Sequence, residues 1–186
     1  TDTVLTVEPM LDFMKFVPQV KNLVRIEPGL FQGVPDFRLP RITAQEELSL
    51  LLYTSGTSGR PKGVMLTHGN IQANVRQVRD GVAFTSDDIM LGVLPQFHTF
   101  GLTALTVLPL VGGLKVVYSA RFIPTKIVKL IREHRPTIFI GIASMWGALL
   151  SVKEATREDF SSIRLAISGG EPLPDAISER VRERFG

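Results

Sequence analysis

The chain has no cysteine. That excludes a disulfide framework, a thiolate nucleophile and any metal site built on sulfur, and it fits a reduced, cytosolic setting. Aromatic residues are sparse, and the three histidines, His68, His98 and His134, lack the close spacing of zinc ligands. Charge of one sign is never concentrated: 21 basic and 18 acidic residues are spread along the chain for a net charge of +3. Nothing in that spread resembles a nucleic-acid footprint, while anionic small molecules stay open as partners. No basic stretch followed by an apolar one opens the chain. The most apolar segment, Leu102 to Leu114, is interrupted by Pro109 and Gly112-Gly113 and is too short to cross a bilayer. A soluble protein is expected, one that a hydrophobic substrate could bring to a membrane surface.

What is present suits one globular domain's worth of chain, 186 residues of which 44% are apolar. Short β-branched and apolar runs alternate with stretches of helical period. Thr3 to Val7, a helix over Pro9 to Phe16 and Asn22 to Ile26 make one β-α-β step; residues 27 to 45, rich in Pro and Gly, read as an irregular connection. Further strands are expected at Leu48 to Tyr53, Ile89 to Leu94, Lys115 to Tyr118, Ile138 to Ile140 and Leu165 to Ser168. Helices are expected at His68 to Gly81 behind an N-cap Thr67, and over Pro124 to Glu133, Ser144 to Ser151 and Pro174 to Phe185. Leu102 to Leu110 fits either a buried helix or a strand. The alternation implies an α/β fold: a mostly parallel sheet with helices on both faces. Arg76, Arg79, Arg132 and Arg135 are expected on solvated helix faces, and Met145 and Trp146 in the core.

The most informative stretch follows the strand ending in Tyr53: Thr54-Ser55-Gly56-Thr57-Ser58-Gly59-Arg60-Pro61-Lys62-Gly63. Glycines let backbone N–H groups approach phosphate oxygens, hydroxyls donate further hydrogen bonds, and one lysine adds a point charge. The order differs from the common nucleotide loop, in which glycine precedes the lysine and Ser or Thr follows it. The stretch resembles the signature loop of the adenylate-forming superfamily, the acyl-CoA synthetases, luciferases and peptide-synthetase adenylation domains. The expected setting is a strand before the loop and a helix after it.

Two later stretches resemble the same family. Leu94-Pro95-Gln96-Phe97-His98-Thr99-Phe100-Gly101 is similar to the segment that lines the carboxylate and acyl side of the family's active site. Ser168-Gly169-Gly170-Glu171-Pro172-Leu173 is similar to the segment whose backbone borders adenine. The resemblance covers most of the chain from about Glu47, and it implies activation of a fatty or related carboxylic acid with ATP and Mg²⁺ to an acyl-adenylate. The acyl group would then pass to CoA or an acyl carrier protein. Thr54, Ser55, Gly56, Thr57, Ser58, Gly59 and Lys62 would hold the β- and γ-phosphates. Gly169, Gly170, Glu171 and Pro172 would border adenine, with Glu171 contacting the exocyclic amine or facing solvent. Phe97, His98, Phe100 and Gly101 would line the acid, and His98 is the candidate catalytic residue. An already ionised carboxylate needs no base, so positioning and charge dispersal should carry the step.

The family's magnesium-holding Tyr-Gly-x-Thr-Glu segment, ribose-binding aspartate, hinge and C-terminal domain with its catalytic lysine do not occur in this sequence. The expectation is a partial N-terminal domain, with residues 1–46 as lead-in and 47–186 from phosphate loop to adenine segment, inactive by itself. The alternative is a non-catalytic nucleotide-binding or interaction module.

Overall fold

The structure, a computed structural model, describes residues 3–6, 22–25, 44–54 and 61–186. The chain divides into two compact units, Thr1–Ile42 and Thr43–Gly186. In the first, β1 (Thr3–Thr6) pairs in parallel with β2 (Asn22–Arg25), in the register Thr3 opposite Asn22. The helix expected over residues 9–16 and most of the irregular connection lie outside the described residues.

The second unit opens with a hairpin. β3 (Leu48–Thr54) pairs antiparallel with β4 (Lys62–Thr67), so Thr54 and Lys62 face each other at its tip. This corrects the expected strand-loop-helix arrangement: the loop joins two strands, and Lys62 opens the second. Val64-Met65-Leu66 lacks the alternation that marks a strand, and only pairing with β3 makes it one. Helix α1 (His68–Gly81) follows directly. The Thr67 hydroxyl accepts from the Asn70 N–H at 3.2 Å, and the Asn70 side chain accepts from the Thr67 N–H at 3.0 Å, a reciprocal cap that ends the strand and starts the helix.

The body of the unit is a four-stranded parallel sheet in the order β6-β5-β7-β8, comprising β5 (Ile89–Gly92), β6 (Lys115–Tyr118), β7 (Ile138–Gly141) and β8 (Leu165–Ser168). Successive side chains of the two central strands point to opposite faces. Met90, Ile138 and Ile140 pack with Val75 of α1 and with Leu105 and Leu108 of helix α2 (residues 99–112). Leu91 and Phe139 pack with α3 (Pro124–His134), α4 (Ala143–Leu149), the single turn α5 (Arg157–Phe160) and α6 (Asp175–Phe185). Both faces are therefore covered, and both central strands read as unbroken apolar runs.

The open question over Leu102–Leu110 resolves as helix, with a π-turn at Thr103–Val107. Pro109 has no N–H to give the Leu105 carbonyl in α register, and the Tyr118 hydroxyl donates to that carbonyl instead. Arg132 and Arg135 are exposed, as expected, but each also has a partner. Arg132 holds Asp159 through paired bonds of 2.7 and 2.9 Å, and Arg135 donates to the Ser161 hydroxyl at 2.8 Å, so α3 anchors the α5 turn. Helical spacing marks a charged face but is silent on a partner more than twenty residues away.

Candidate functional site

The amino ends of the parallel strands are closed by charge. Asp88, 1% exposed, accepts from the Thr137 hydroxyl at 2.6 Å, from the Thr85 N–H at 2.8 Å and from Arg164 Nε at 2.9 Å. These residues precede β5, β7 and β8, so one carboxylate ties three strand starts together. The hydrogen-bonded Arg164 guanidinium holds its carboxyl well below the usual carboxylate range, with the Thr137 hydroxyl and the Thr85 N–H adding to the effect and burial opposing it.

The carboxyl ends are open, and there the two later motifs meet. Beyond β5 the chain runs through buried Val93 and Leu94, turns at Pro95 and enters α2. His98 is the N-cap: its N–H donates to the Pro95 carbonyl at 3.1 Å, and its Nδ1 accepts from the Phe100 N–H at 3.2 Å. With Nδ1 accepting that bond, a proton on the ring sits on Nε2, which has no acceptor among the described residues. A Cβ on Gly101 would stand 2.1 Å from the Pro95 carbonyl oxygen, so only glycine lets the first turn of α2 pass so close to the loop. Gly101 is buried there as a packing residue. Phe97 is 87% exposed.

Beyond β8, the Gly169 N–H donates to the Gly141 carbonyl at 3.2 Å, continuing the sheet by one bond, and Gly170 turns with φ +80°. The Phe100 ring lies on Gly169: a Cβ there would be 2.9 Å from its Cζ. Glu171 has a partner that neither sequence alternative foresaw. Its Oε1 accepts from the Ser144 N–H at 2.6 Å, at the start of α4. A residue pattern cannot reveal that bond, because it depends on the β8 and β7 loops lying side by side. Pro172 is exposed.

These loops enclose a pocket of about 370 Å³ lined by Phe97, His98, Phe100, Met145, Gly170 and Glu171. His98, Phe100 and Gly170 also line a larger pocket of about 690 Å³ between α1, α2 and the sheet, walled by Val75, Val78, Ala104, Leu108, Ile140 and Ile167. Met145 thus faces the site, whereas its neighbour Trp146 is core, 4.6 Å from Phe139 between ring centres. A helix turns about 100° per residue, which separates the two. Ile142 joins the smaller pocket too; neither its type nor its spacing distinguishes it from core in the sequence. Of the first motif, Thr54 and Lys62 stand exposed at the tip of the hairpin, and Ser55, Gly56, Thr57, Ser58 and Gly59 lie outside the described residues. Among the described residues no group of three His, Asp or Glu side chains could hold a metal ion. Asp88 lies at the opposite end of the sheet and is fully engaged.

The sequence matches the model of the AMP-binding enzyme family over residues 5–186. The chain belongs to that family. Among the relatives of this AMP-binding chain is a long-chain-fatty-acid–CoA ligase of Bacillus subtilis, 34% identical over 155 residues, or 80% of this chain and 27% of the relative. Another is 4-coumarate-CoA ligase 1 of Narcissus pseudonarcissus, 32% identical over 83% of this chain and 29% of the relative. ATP-bound MatB from Rhodopseudomonas palustris superposes with a TM-score of 0.85 at 28% identity, covering 100% of this chain and 38% of that one. The O-succinylbenzoate CoA synthetase of Bacillus subtilis, in complex with ATP and magnesium ion, superposes with a TM-score of 0.82 at 27% identity, covering 99% of this chain and 38% of that one. The chain spans less than two fifths of the length of these proteins. Its relatives are acyl-CoA ligases, and its fold is that of adenylate-forming enzymes.

Proposed function

We propose that this chain binds the ATP and the carboxylic acid from which a longer ligase makes an acyl-adenylate, and that the acid is an apolar, fatty one. The observation that carries the reading is the pocket at the strand ends, which is lined by His98 and shares His98, Phe100 and Gly170 with a larger, mostly apolar pocket beside it. A carboxylate on His98 would leave its hydrocarbon part against Phe100, Met145 and the apolar walls beyond, burial that favours an apolar acid by about 0.8 kcal/mol per methylene. Thr54 to Gly59 and Lys62 would hold the β- and γ-phosphates, and the Gly169–Pro172 turn would border adenine. With Oε1 bonded to the Ser144 N–H, Glu171 would hold this turn in shape rather than reach the adenine amine.

In the reaction a carboxylate oxygen forms a bond to the α-phosphorus, the bond from that phosphorus to the bridging oxygen breaks, and pyrophosphate leaves. His98 would orient the attacking carboxylate by hydrogen bonding, and its first-turn cap holds it in place. The second step would be thioester formation with CoA or a carrier protein.

The test is acid-dependent exchange of pyrophosphate into ATP, run on a ligase of the relatives' full length that carries this chain. Fatty acids should support exchange, and Lys62→Ala should weaken ATP usage by on the order of 1.5–3 kcal/mol, the range for hydrogen bonds to charged groups. The alternative reading for the chain by itself is a nucleotide-binding or interaction module without catalysis. Binding of ATP with no acid-dependent exchange in the full-length protein would support that reading and remove the first.

A further inference from the structure

Helix α4 is tied at both ends to the segment that follows β8. At its start the Ser144 N–H donates to Glu171 Oε1 at 2.6 Å. Just past its end, Arg184 of α6 donates to the carbonyls of Leu150 and, at 2.6 Å, Val152. Between these ties α4 lies against α6 at Gly147, where a Cβ would stand 3.5 Å from Ile177 Cδ1. The first turn of α4, held at Ser144, is flanked by Ile142 and Met145, and both line the pocket at the strand ends, as Gly170 and Glu171 do from the β8 loop. One carboxylate thus joins the turn proposed to border adenine to the helix that walls the acid pocket. Ser144 and Glu171 are both exposed, so water competes for the carboxylate, and the bond holds best when the turn is kept still.

We propose that Glu171 is a positioning residue that couples the two substrates: a nucleoside resting on the Gly169–Pro172 turn holds the Glu171 carboxylate on the Ser144 N–H, which fixes the first turn of α4 and with it the Ile142 and Met145 walls around the acid. The inference rests on the acid- and nucleotide-binding reading given above. Such coupling is reciprocal, so each ligand tightens the other by the same factor. Because it passes through a single exposed hydrogen bond, the factor belongs at the low end of the range for coupled sites, about fivefold.

The experiment is calorimetric titration of a ligase of the relatives' full length that carries this chain, with dodecanoate in the absence and presence of saturating adenosine, and then with adenosine in the absence and presence of dodecanoate. Adenosine has no phosphate to meet the carboxylate, so any coupling it shows passes through the protein. In the wild type each ligand should tighten the other about fivefold. Glu171→Ala should leave both ligands binding, each indifferent to the other. Glu171→Asp, whose carboxylate is held back from Ser144 by its shorter side chain, should lose the coupling too and serves if the alanine variant does not fold. Glu171→Gln keeps an oxygen that accepts from the Ser144 N–H and should keep most of the coupling, a rescue that a merely structural role for the charge does not explain. Independent binding in the wild type, or coupling unchanged in the alanine and aspartate variants, overturns the relay while both sites stand. Failure of dodecanoate to bind overturns the acid site and the relay with it, and failure of adenosine to bind does the same for the adenine border.

Discussion

The two ends of the parallel sheet are built on opposite terms. At the amino ends, Asp88 gathers Thr85, Thr137 and Arg164 into one closed set of hydrogen bonds, and little is left to meet a ligand. At the carboxyl ends glycines stand where side chains would otherwise fill space, the His98 Nε2 has no partner among the described residues, and two cavities open. The closed end fixes the spacing of β5, β7 and β8, and that spacing brings loops far apart in sequence around one pocket. Stability and recognition are thus assigned to different ends of the same strands, as open α/β sheets generally allow.

The largest effect should come from breaking the closed end. Asp88→Ala leaves the Thr137 hydroxyl and Arg164 without their acceptor and should cost about 3 kcal/mol in chemical denaturation. A loss below about 0.5 kcal/mol, the range of ordinary surface changes, would remove the clamp from the account. Acid sharpens the same point. Asp88, bonded to Arg164, and Asp159, bonded first to Arg132, both have depressed carboxyl pKa values. Their contribution is complete above the unfolded carboxylate range, about pH 4, and is lost as pH falls from there toward the folded values, where the unfolded chain binds more protons. Stability measured against pH should therefore drop on the acid side, and Asp88→Asn should flatten that drop.

At the open end the effects on folding should be smaller. Gly101→Ala drives a Cβ into the Pro95 carbonyl, backbone against backbone, and should cost about 2 kcal/mol. His98→Ala removes only a cap and should cost about 1 kcal/mol. His98→Asn supplies another cap acceptor, so it should recover most of that stability without recovering fatty-acid binding. Recovery of both by asparagine would make His98 a capping residue alone.

Much of this architecture was legible in one sequence, for local reasons. Thr67 ahead of an amphipathic stretch marked α1 at its observed bounds, and Pro124 marked the start of α3. The apolar runs around Leu91 and Phe139 read as buried strands because both faces of a covered parallel sheet are apolar. What was missed is non-local. β4 exists through its pairing with β3, and the α5 turn through its own cap, Arg132 of α3 and Arg135 just past its end. In the site, residue types and order singled out His98, Phe100 and Gly169 as members of two motifs. Their arrangement as ring on glycine between two cavities needed the strand order.

The sequence by itself determined the family, the succession of strands and helices, and which short stretches carry the chemistry, because caps, turn residues and glycine-rich loops act through neighbours along the chain. Tertiary structure alone decided that the loop after Tyr53 joins two strands, that Glu171 binds the Ser144 N–H, and that Arg164 belongs to Asp88. Each of those depends on the position of another segment, and a hydrogen bond or a pocket wall exists only where the packing of the sheet brings its two halves within reach.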